Sequence, residues 1–225
     1  MTDTPVHDAL VSRITHNLQQ VRAEIAQHSA GQPVAVLGVT KTLGPDVVRA
    51  AFAAGLHELG ENYAQELAAK SVEHRDLGVR WHFIGGLQRN KIKRFGDAVA
   101  VWQTIDRIEL LDELAKRAPG AELFIQVNTT GEPQKSGCEP EETAKLVDHG
   151  RTLGLVVRGL MTVGPTDAGA DPRPSFSQLR SLGETVGTTE LSMGMSGDYQ
   201  LAVAEGSTLV RIGSTLFGER PARQS

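Results

Sequence analysis

The sequence predicts an α/β fold: a single (β/α)8 barrel of the TIM type, preceded by an extra N-terminal helix. Three observations predict it. Eight short apolar runs alternate with helical segments along the chain, the pattern of parallel strands joined by crossover helices. No G-x-G-x-x-G follows the first run, which argues against the rival doubly wound sheet. The 225 residues, 40% of them hydrophobic, suffice for one sizeable core and leave room for small insertions only. We expect one domain over residues 1–225.

The elements follow in order. Val6, Leu10, Ile14, Leu18, Val21 and Ile25 recur at three- and four-residue steps, so residues Pro5–Ala30 read as an amphipathic helix. Strands are expected at Val34–Thr40, Glu58–Gly60, Val79–Ile84, Ala98–Thr104, Leu123–Asn128, Val156–Thr162, Glu190–Met195 and Thr208–Gly213. Helices are expected between them, at Pro45–Ala54, Tyr63–Glu73, Leu87–Phe95, Arg107–Ala118, Pro140–Thr152, Pro174–Thr185 and Gly197–Ala204. The richest turn stretch, Gly164–Pro174, follows the sixth strand and falls on the active face of a barrel, as a lid or as an ordinary exposed loop.

Composition excludes several classes. Net charge is -4, which gives no electrostatic case for nucleic acid or an anionic membrane. No apolar run reaches transmembrane length, and the N-terminus has no basic region followed by an apolar stretch. The single cysteine, Cys138, rules out an intrachain disulfide and suits a reducing cytoplasm. The seven histidines form no HxH or HExxH pattern, so no metal centre is expected.

Candidate chemistry begins at Lys41, which ends the run Pro33-Val34-Ala35-Val36-Leu37-Gly38-Val39-Thr40-Lys41. By alternation it shares a face with Val39, Leu37 and Ala35. In a closed barrel that face points inward, which makes Lys41 a candidate Schiff-base nucleophile at the mouth; the alternative is a lysine snorkelling to solvent. In Leu209-Val210-Arg211-Ile212-Gly213-Ser214, Val210 and Ile212 face the outer helices and Arg211 points inward. An inward guanidinium needs an anion or a strong acceptor, and a structural ion pair with Glu58 or Glu61 is the competing explanation.

Ser196 ends the seventh strand where a helix begins, and Gly213 and Ser214 end the eighth. Loops after strands seven and eight of a barrel frequently bind phosphate together, although Ser196 also reads as a plain helix cap. His82 is inward, either a ligand contact or a hydrogen-bonded core histidine, and Asn62 is either a cap or a ligand contact. Lys91 and Lys93 read as a solvated helix face. Lysine, inward arginine and a split phosphate cup together suggest pyridoxal 5'-phosphate; a class I aldolase shares the lysine and the phosphate site.

At these residues the chain resembles the pyridoxal phosphate homeostasis proteins, also called the proline-synthetase-co-transcribed family, single-domain relatives of the alanine racemase barrel. The resemblance runs along nearly the whole chain. It rests on Val39-Thr40-Lys41-Thr42, Gly60-Glu61-Asn62-Tyr63, Trp81-His82-Phe83-Ile84-Gly85, Lys135-Ser136-Gly137, Gly159-Leu160-Met161, Ser192-Met193-Gly194-Met195-Ser196 with Asp198, and Arg211-Ile212-Gly213 before Phe217-Gly218. It implies that Lys41 carries the cofactor as a Schiff base and that Ser196, Gly213 and Ser214 hold its phosphate. It also implies that Arg211 approaches the ring nitrogen and that Asn62 and His82 line the site. Threonine often stands in the family at Ser214, and histidine often at Gly86; Arg89 is another departure, and neither Gly86 nor Arg89 is given a role.

The resemblance implies handling of pyridoxal phosphate inside the cell, with apo-enzymes as possible recipients, more than efficient turnover. An arginine at the ring nitrogen disfavours its protonation and weakens the ring as an electron sink. A two-base racemase needs a second base, and Tyr63 and Tyr199 are not obvious sources. A low-activity racemase or related enzyme is the alternative. A monomer or weak dimer in the cytoplasm is expected.

Overall fold

The computed structural model describes residues 4–218, so the two ends of the expected 1–225 domain lie outside the described residues. The chain runs α1 (Thr4–His28), β1 (Ala35–Val39), α2 (Pro45–Ala53), β2 (Glu58–Glu61), α3 (Ala64–Glu73), β3 (Arg80–Phe83), α4 (Arg89–Phe95) and β4 (Val101–Ile105). It continues with α5 (Ile108–Arg117), β5 (Glu122–Gln126), α6 (Thr143–Thr152), β6 (Val156–Met161), α7 (Arg173–Thr185), β7 (Glu190–Met195), α8 (Tyr199–Ala204), β8 (Leu209–Ile212) and α9 (Ser214–Phe217). The strands form a closed parallel barrel in sequence order, and β8 pairs back on β1 with Leu37 beside Arg211.

Alternation divides the core into two shells. Leu37, Val101, Phe124, Met161 and Leu209 fill the inside of the barrel. The opposite faces, with Leu59, Trp81, Phe83, Trp102, Val210 and Ile212, pack against the helices. Each fully buried large apolar side chain contributes about 1.5–3 kcal/mol. Ile14, Leu18, Val21 and Ile25 of α1 are buried as their spacing predicts, and α1 packs on α2, α8 and α9.

The N-terminal mouth is crossed by alternating charges. Arg80 bridges Glu58 (3.1 Å) and Glu122 (2.9 Å), and Arg158 bridges Glu122 (3.1 Å) and Glu190 (2.7 Å). The opposite mouth, at the C-terminal strand ends, is left for the site.

Several boundaries differ from expectation. Residues Gly96–Ala98 coil into a 3-10 turn, so β4 starts at Val101. Pro140–Glu142 form another such turn ahead of α6. Helix α8 starts at Tyr199 because the Met195 N–H donates to Asp198 Oδ1 at 2.6 Å, holding the intervening residues in a turn. Helix α9 is one turn long, too short for periodicity to reveal. Strand β7 carries a bulge: Ser192 pairs with Leu209, but Met195 pairs with Arg211. Gly194 has φ +93°, and a Cβ there would come within 2.6 Å of Ala202. This irregularity lets Ser192 contact Arg211 inside the barrel while Met195, three residues on, lines the mouth.

Candidate functional site

A cavity of about 350 Å³ opens at the C-terminal mouth. Its apolar wall comes from Val39, Ile84, Met161, Val163 and Met195, and its polar wall from Lys41, Asn62, Ser196, Arg211, Gly213 and Ser214. Six of the seven sequence-predicted site residues therefore meet in one place. Strands β1 and β8, neighbours on closure, bring Lys41 and Arg211 together as the parity argument requires.

Lys41 follows β1 and is half-buried. Its backbone is held from both sides by one helix. Lys70 Nζ of α3 donates to the Thr40 carbonyl at 2.7 Å, and the Thr42 N–H donates to Glu66 Oε2 at 2.7 Å. Thr42 has φ +64°, a left-handed conformation that a β-branched residue adopts only under restraint. Lys70 also donates to Glu61 Oε1 at 2.6 Å, and Thr40 Oγ1 donates to the same oxygen at 2.7 Å. Burial pushes the Glu61 carboxyl up, against the pull of Lys70.

Arg211 is buried, 4% exposed. Its NH1 donates to Ser192 O and Ser192 Oγ, both at 2.8 Å, and its NH2 donates to Thr162 O at 2.7 Å. All three acceptors are neutral. The carboxylates proposed as ion-pair partners are engaged elsewhere: Glu61 with Lys70, Glu58 with Arg80. Burial pushes the guanidinium down to about 10, still a cation at neutral pH. Those three bonds use three of its five N–H groups and leave donors for an acceptor in the cavity.

Ser196 Oγ accepts the Gly213 N–H at 3.2 Å and the Thr215 N–H at 3.4 Å, so the turns after β7 and β8 converge on one oxygen. Ser214 stands exposed on the rim. Asn62 follows β2, and its Oδ1 is buried without a hydrogen-bond partner among the described residues. Its backbone lies so close to Gly85 that a Cβ there would come within 1.9 Å of Asn62 O, so only glycine fits at position 85.

His82 is the predicted site residue that the cavity does not include. It points inward, as alternation requires, but stands a layer below the mouth. It is fully buried, with Nδ1 bonded to Gln103 Nε2 at 2.7 Å. Of its two expected readings, a hydrogen-bonded core histidine describes these surroundings. Lys91 and Lys93 lie on α4 and do not line the cavity. Tyr199 donates its hydroxyl to Glu24 of α1, and Tyr63 caps α3. Cys138 is buried and its thiol is pushed up to about 11 by burial, which suits a packing role.

Sequence reasoning missed Lys70, Gln103 and Ser192 as supports of the site. Gln103 carried a usable signal, a polar residue in mid-run between Trp102 and Thr104. Lys70 carried none, since it sits four residues after Glu66 like any solvated helix pair. No group of three or more histidine, cysteine, aspartate or glutamate side chains suited to a metal occurs among the described residues. No described helix is long and apolar enough to cross a membrane.

Comparison with known proteins adds independent findings. A profile of the alanine racemase N-terminal domain matches residues 11–221. The chain is 40% identical over 223 residues to the pyridoxal phosphate homeostasis protein of Pseudomonas aeruginosa, covering 93% of this chain and 97% of that one. It is 39% identical to the protein of the same name from Aquifex aeolicus, covering 92% and 97%. Among solved structures, PipY of Synechococcus elongatus with PLP bound superposes with a TM-score of 0.79 at 32% identity, covering 91% of this chain and all of that one. Alanine racemase from Corynebacterium glutamicum, at 14% identity and a TM-score of 0.71, shares the fold over 62% of its length.

Proposed function

The chain belongs to the pyridoxal phosphate homeostasis protein family, within the wider alanine racemase N-terminal-domain family, and from that premise we propose that it binds pyridoxal phosphate and takes part in the homeostasis of that cofactor. The observation that carries the reading is the convergence of Lys41, Arg211 and the Ser196–Gly213–Ser214 turn pair on one cavity.

The donor set fits the group. The cavity offers the Ser196 and Ser214 hydroxyls beside the Gly213 turn for a phosphate, apolar walls for a ring, remaining guanidinium donors for a ring nitrogen and a primary amine for an aldehyde. When bound, pyridoxal phosphate supplies an aldehyde that bonds covalently to amines and a conjugated ring that withdraws electrons. The remaining work belongs to the chain. Lys41 presents its amine from a backbone fixed by Lys70 and Glu66. Ser196, Gly213 and Ser214 orient the phosphate. Arg211 would donate to the ring nitrogen of the bound group and, as a persistent cation, would keep a proton off it.

We read this as a carrying or regulating site, the whole of it built within one barrel domain, with apo-enzymes as recipients. Titration of the apoprotein with pyridoxal phosphate and with pyridoxal, followed by visible absorbance, tests the reading. Tighter binding of the phosphate-bearing form by about tenfold or more is expected, the range for charge-assisted hydrogen bonds. Equal binding of the two removes the phosphate cup from the account.

A further inference from the structure

A polar row crosses the apolar barrel interior from the cavity to the opposite mouth. Arg211 NH1 donates to Ser192 Oγ at 2.8 Å, and Ser192 Oγ donates to Gln103 Oε1 at 2.7 Å. Gln103 Nε2 lies 2.7 Å from His82 Nδ1, and His82 Nε2 faces Glu58 Oε2 at 3.7 Å. The five residues come from β8, β7, β4, β3 and β2. Arg211, Ser192, Gln103 and His82 are all buried.

The chemistry of each group gives the row one direction. A guanidinium only donates, so Ser192 Oγ accepts from Arg211, and the Ser192 hydroxyl donates in turn to Gln103 Oε1. The Gln103 carbonyl is thereby turned to Ser192 and its amide N–H to His82. An amide nitrogen also only donates, so His82 Nδ1 is bare and the imidazole proton sits on Nε2, facing the Glu58 carboxylate. The hydrogen-bond donors all point away from the buried cation, and the row ends at His82 Nε2, which has no hydrogen-bond partner among the described residues and faces the partly exposed Glu58 carboxylate from 3.7 Å. Bonds aligned in this way polarise one another in a low-dielectric interior. A row assembled only to fill space has no need of a common direction.

We propose that Gln103 is a positioning residue for the cofactor site, fixing the Ser192 hydroxyl and through it the guanidinium edge that Arg211 turns to the cavity, with His82 fixing the Gln103 amide in turn. The inference rests on the proposed contact between Arg211 and the ring nitrogen of pyridoxal phosphate. Thr162 O and Ser192 O hold Arg211 independently, so loss of Gln103 is expected to retune the guanidinium without removing it.

The test uses nitrogen-15 NMR on the full chain, with labelled histidine and with ring-labelled pyridoxal phosphate, in wild type, Gln103→Met and Gln103→Glu. Wild-type His82 is expected as the neutral Nε2–H tautomer, with or without cofactor. Gln103→Met is expected to bind pyridoxal phosphate within about tenfold of wild type, the loss of one hydrogen bond, while the ring-nitrogen signal moves. Gln103→Glu, as a carboxylate, presents only acceptors, so His82 is expected to gain a proton on Nδ1, a change visible in the apoprotein and independent of the cofactor. Should Gln103→Met fail to fold, the isosteric Gln103→Glu carries both readouts. A wild-type His82 protonated on Nδ1 overturns the proposal, as does a ring-nitrogen signal identical in wild type and cofactor-loaded variants. A wild type that takes up no pyridoxal phosphate defeats the cofactor reading instead, and the His82 tautomer still decides the direction of the row.

Discussion

Lys70 Nζ donates to the carbonyl oxygen of Thr40 at 2.7 Å, one residue before Lys41. Four residues earlier on the same helix, Glu66 accepts the N–H of Thr42 at 2.7 Å, one residue after it. Helix α3 therefore grips the backbone on both sides of the proposed attachment lysine. The grip is anchored in turn by the buried Lys70–Glu61 pair at 2.6 Å.

Lys70→Met should destabilise the fold by about 3–5 kcal/mol, because it strands the buried Glu61 carboxyl without its partner. Urea unfolding measures this. Lys70→Met combined with Glu61→Gln should recover part of the loss, and both variants should attach pyridoxal phosphate at Lys41 more slowly than wild type. Unchanged attachment would confine Lys70 to stability.

Ser196→Ala removes the oxygen on which the Gly213 and Thr215 amides converge. Binding of pyridoxal phosphate should weaken by about 1–3 kcal/mol, and binding of pyridoxal should not change. Isothermal titration of the two ligands distinguishes a phosphate-reading serine from one that merely shapes the loop, which would weaken both alike.

The Glu58 carboxyl is held at about 2 by the His82 imidazole facing it at 3.7 Å, against burial, with Arg80 and Arg158 adding their charges. Its folded value lies below the unfolded value of roughly 4.3. Its contribution is therefore complete above the unfolded value and is lost as pH falls toward the folded one. Urea midpoints recorded between about pH 4.3 and pH 2 should fall more steeply in wild type than in Glu58→Gln. Parallel slopes would mean that Glu58 takes no part in acid stability.

Among the described residues lining the cavity, Lys41 is the one side chain able to act as a base, since Arg211 stays protonated and the rest do not titrate near neutrality. Two-base racemisation needs a second such group. Deuterium wash-in at Cα of alanine and other common amino acids, followed by chiral analysis, should show turnover well below about 1 per second. Faster exchange that disappears in Lys41→Ala would replace the carrying reading with an enzymatic one.

Much of this was legible in the sequence because alternation reports which face a side chain takes. Leu37 and Val39 on β1, with Lys41 two residues beyond its end, and Val210, Arg211 and Ile212 on β8 have clean parity, and both fall as read. Alternation does not report height along the barrel. His82 is inward, but β3 starts at Arg80, which sets it a layer beneath the cavity that Lys41 and Arg211 reach. Nor does alternation survive a bulge: Ser192 faces the interior while Met195, three residues on, lines the mouth, with Gly194 between them at a left-handed φ. Lys70 was invisible for another reason. Its burial is created by the ends of β1 and β2 closing over α3, a tertiary event that leaves no trace in local spacing.

The central claim is that this cavity holds pyridoxal phosphate covalently through Lys41. The most direct measurement is borohydride reduction of the cofactor-loaded protein followed by peptide mapping. The account predicts a yellow protein that is bleached on reduction, with the pyridoxyl group fixed on Lys41 and absent from Lys41→Ala. A pyridoxyl group found instead on Lys91 or Lys93, or no adduct on a protein that binds the cofactor, would contradict it.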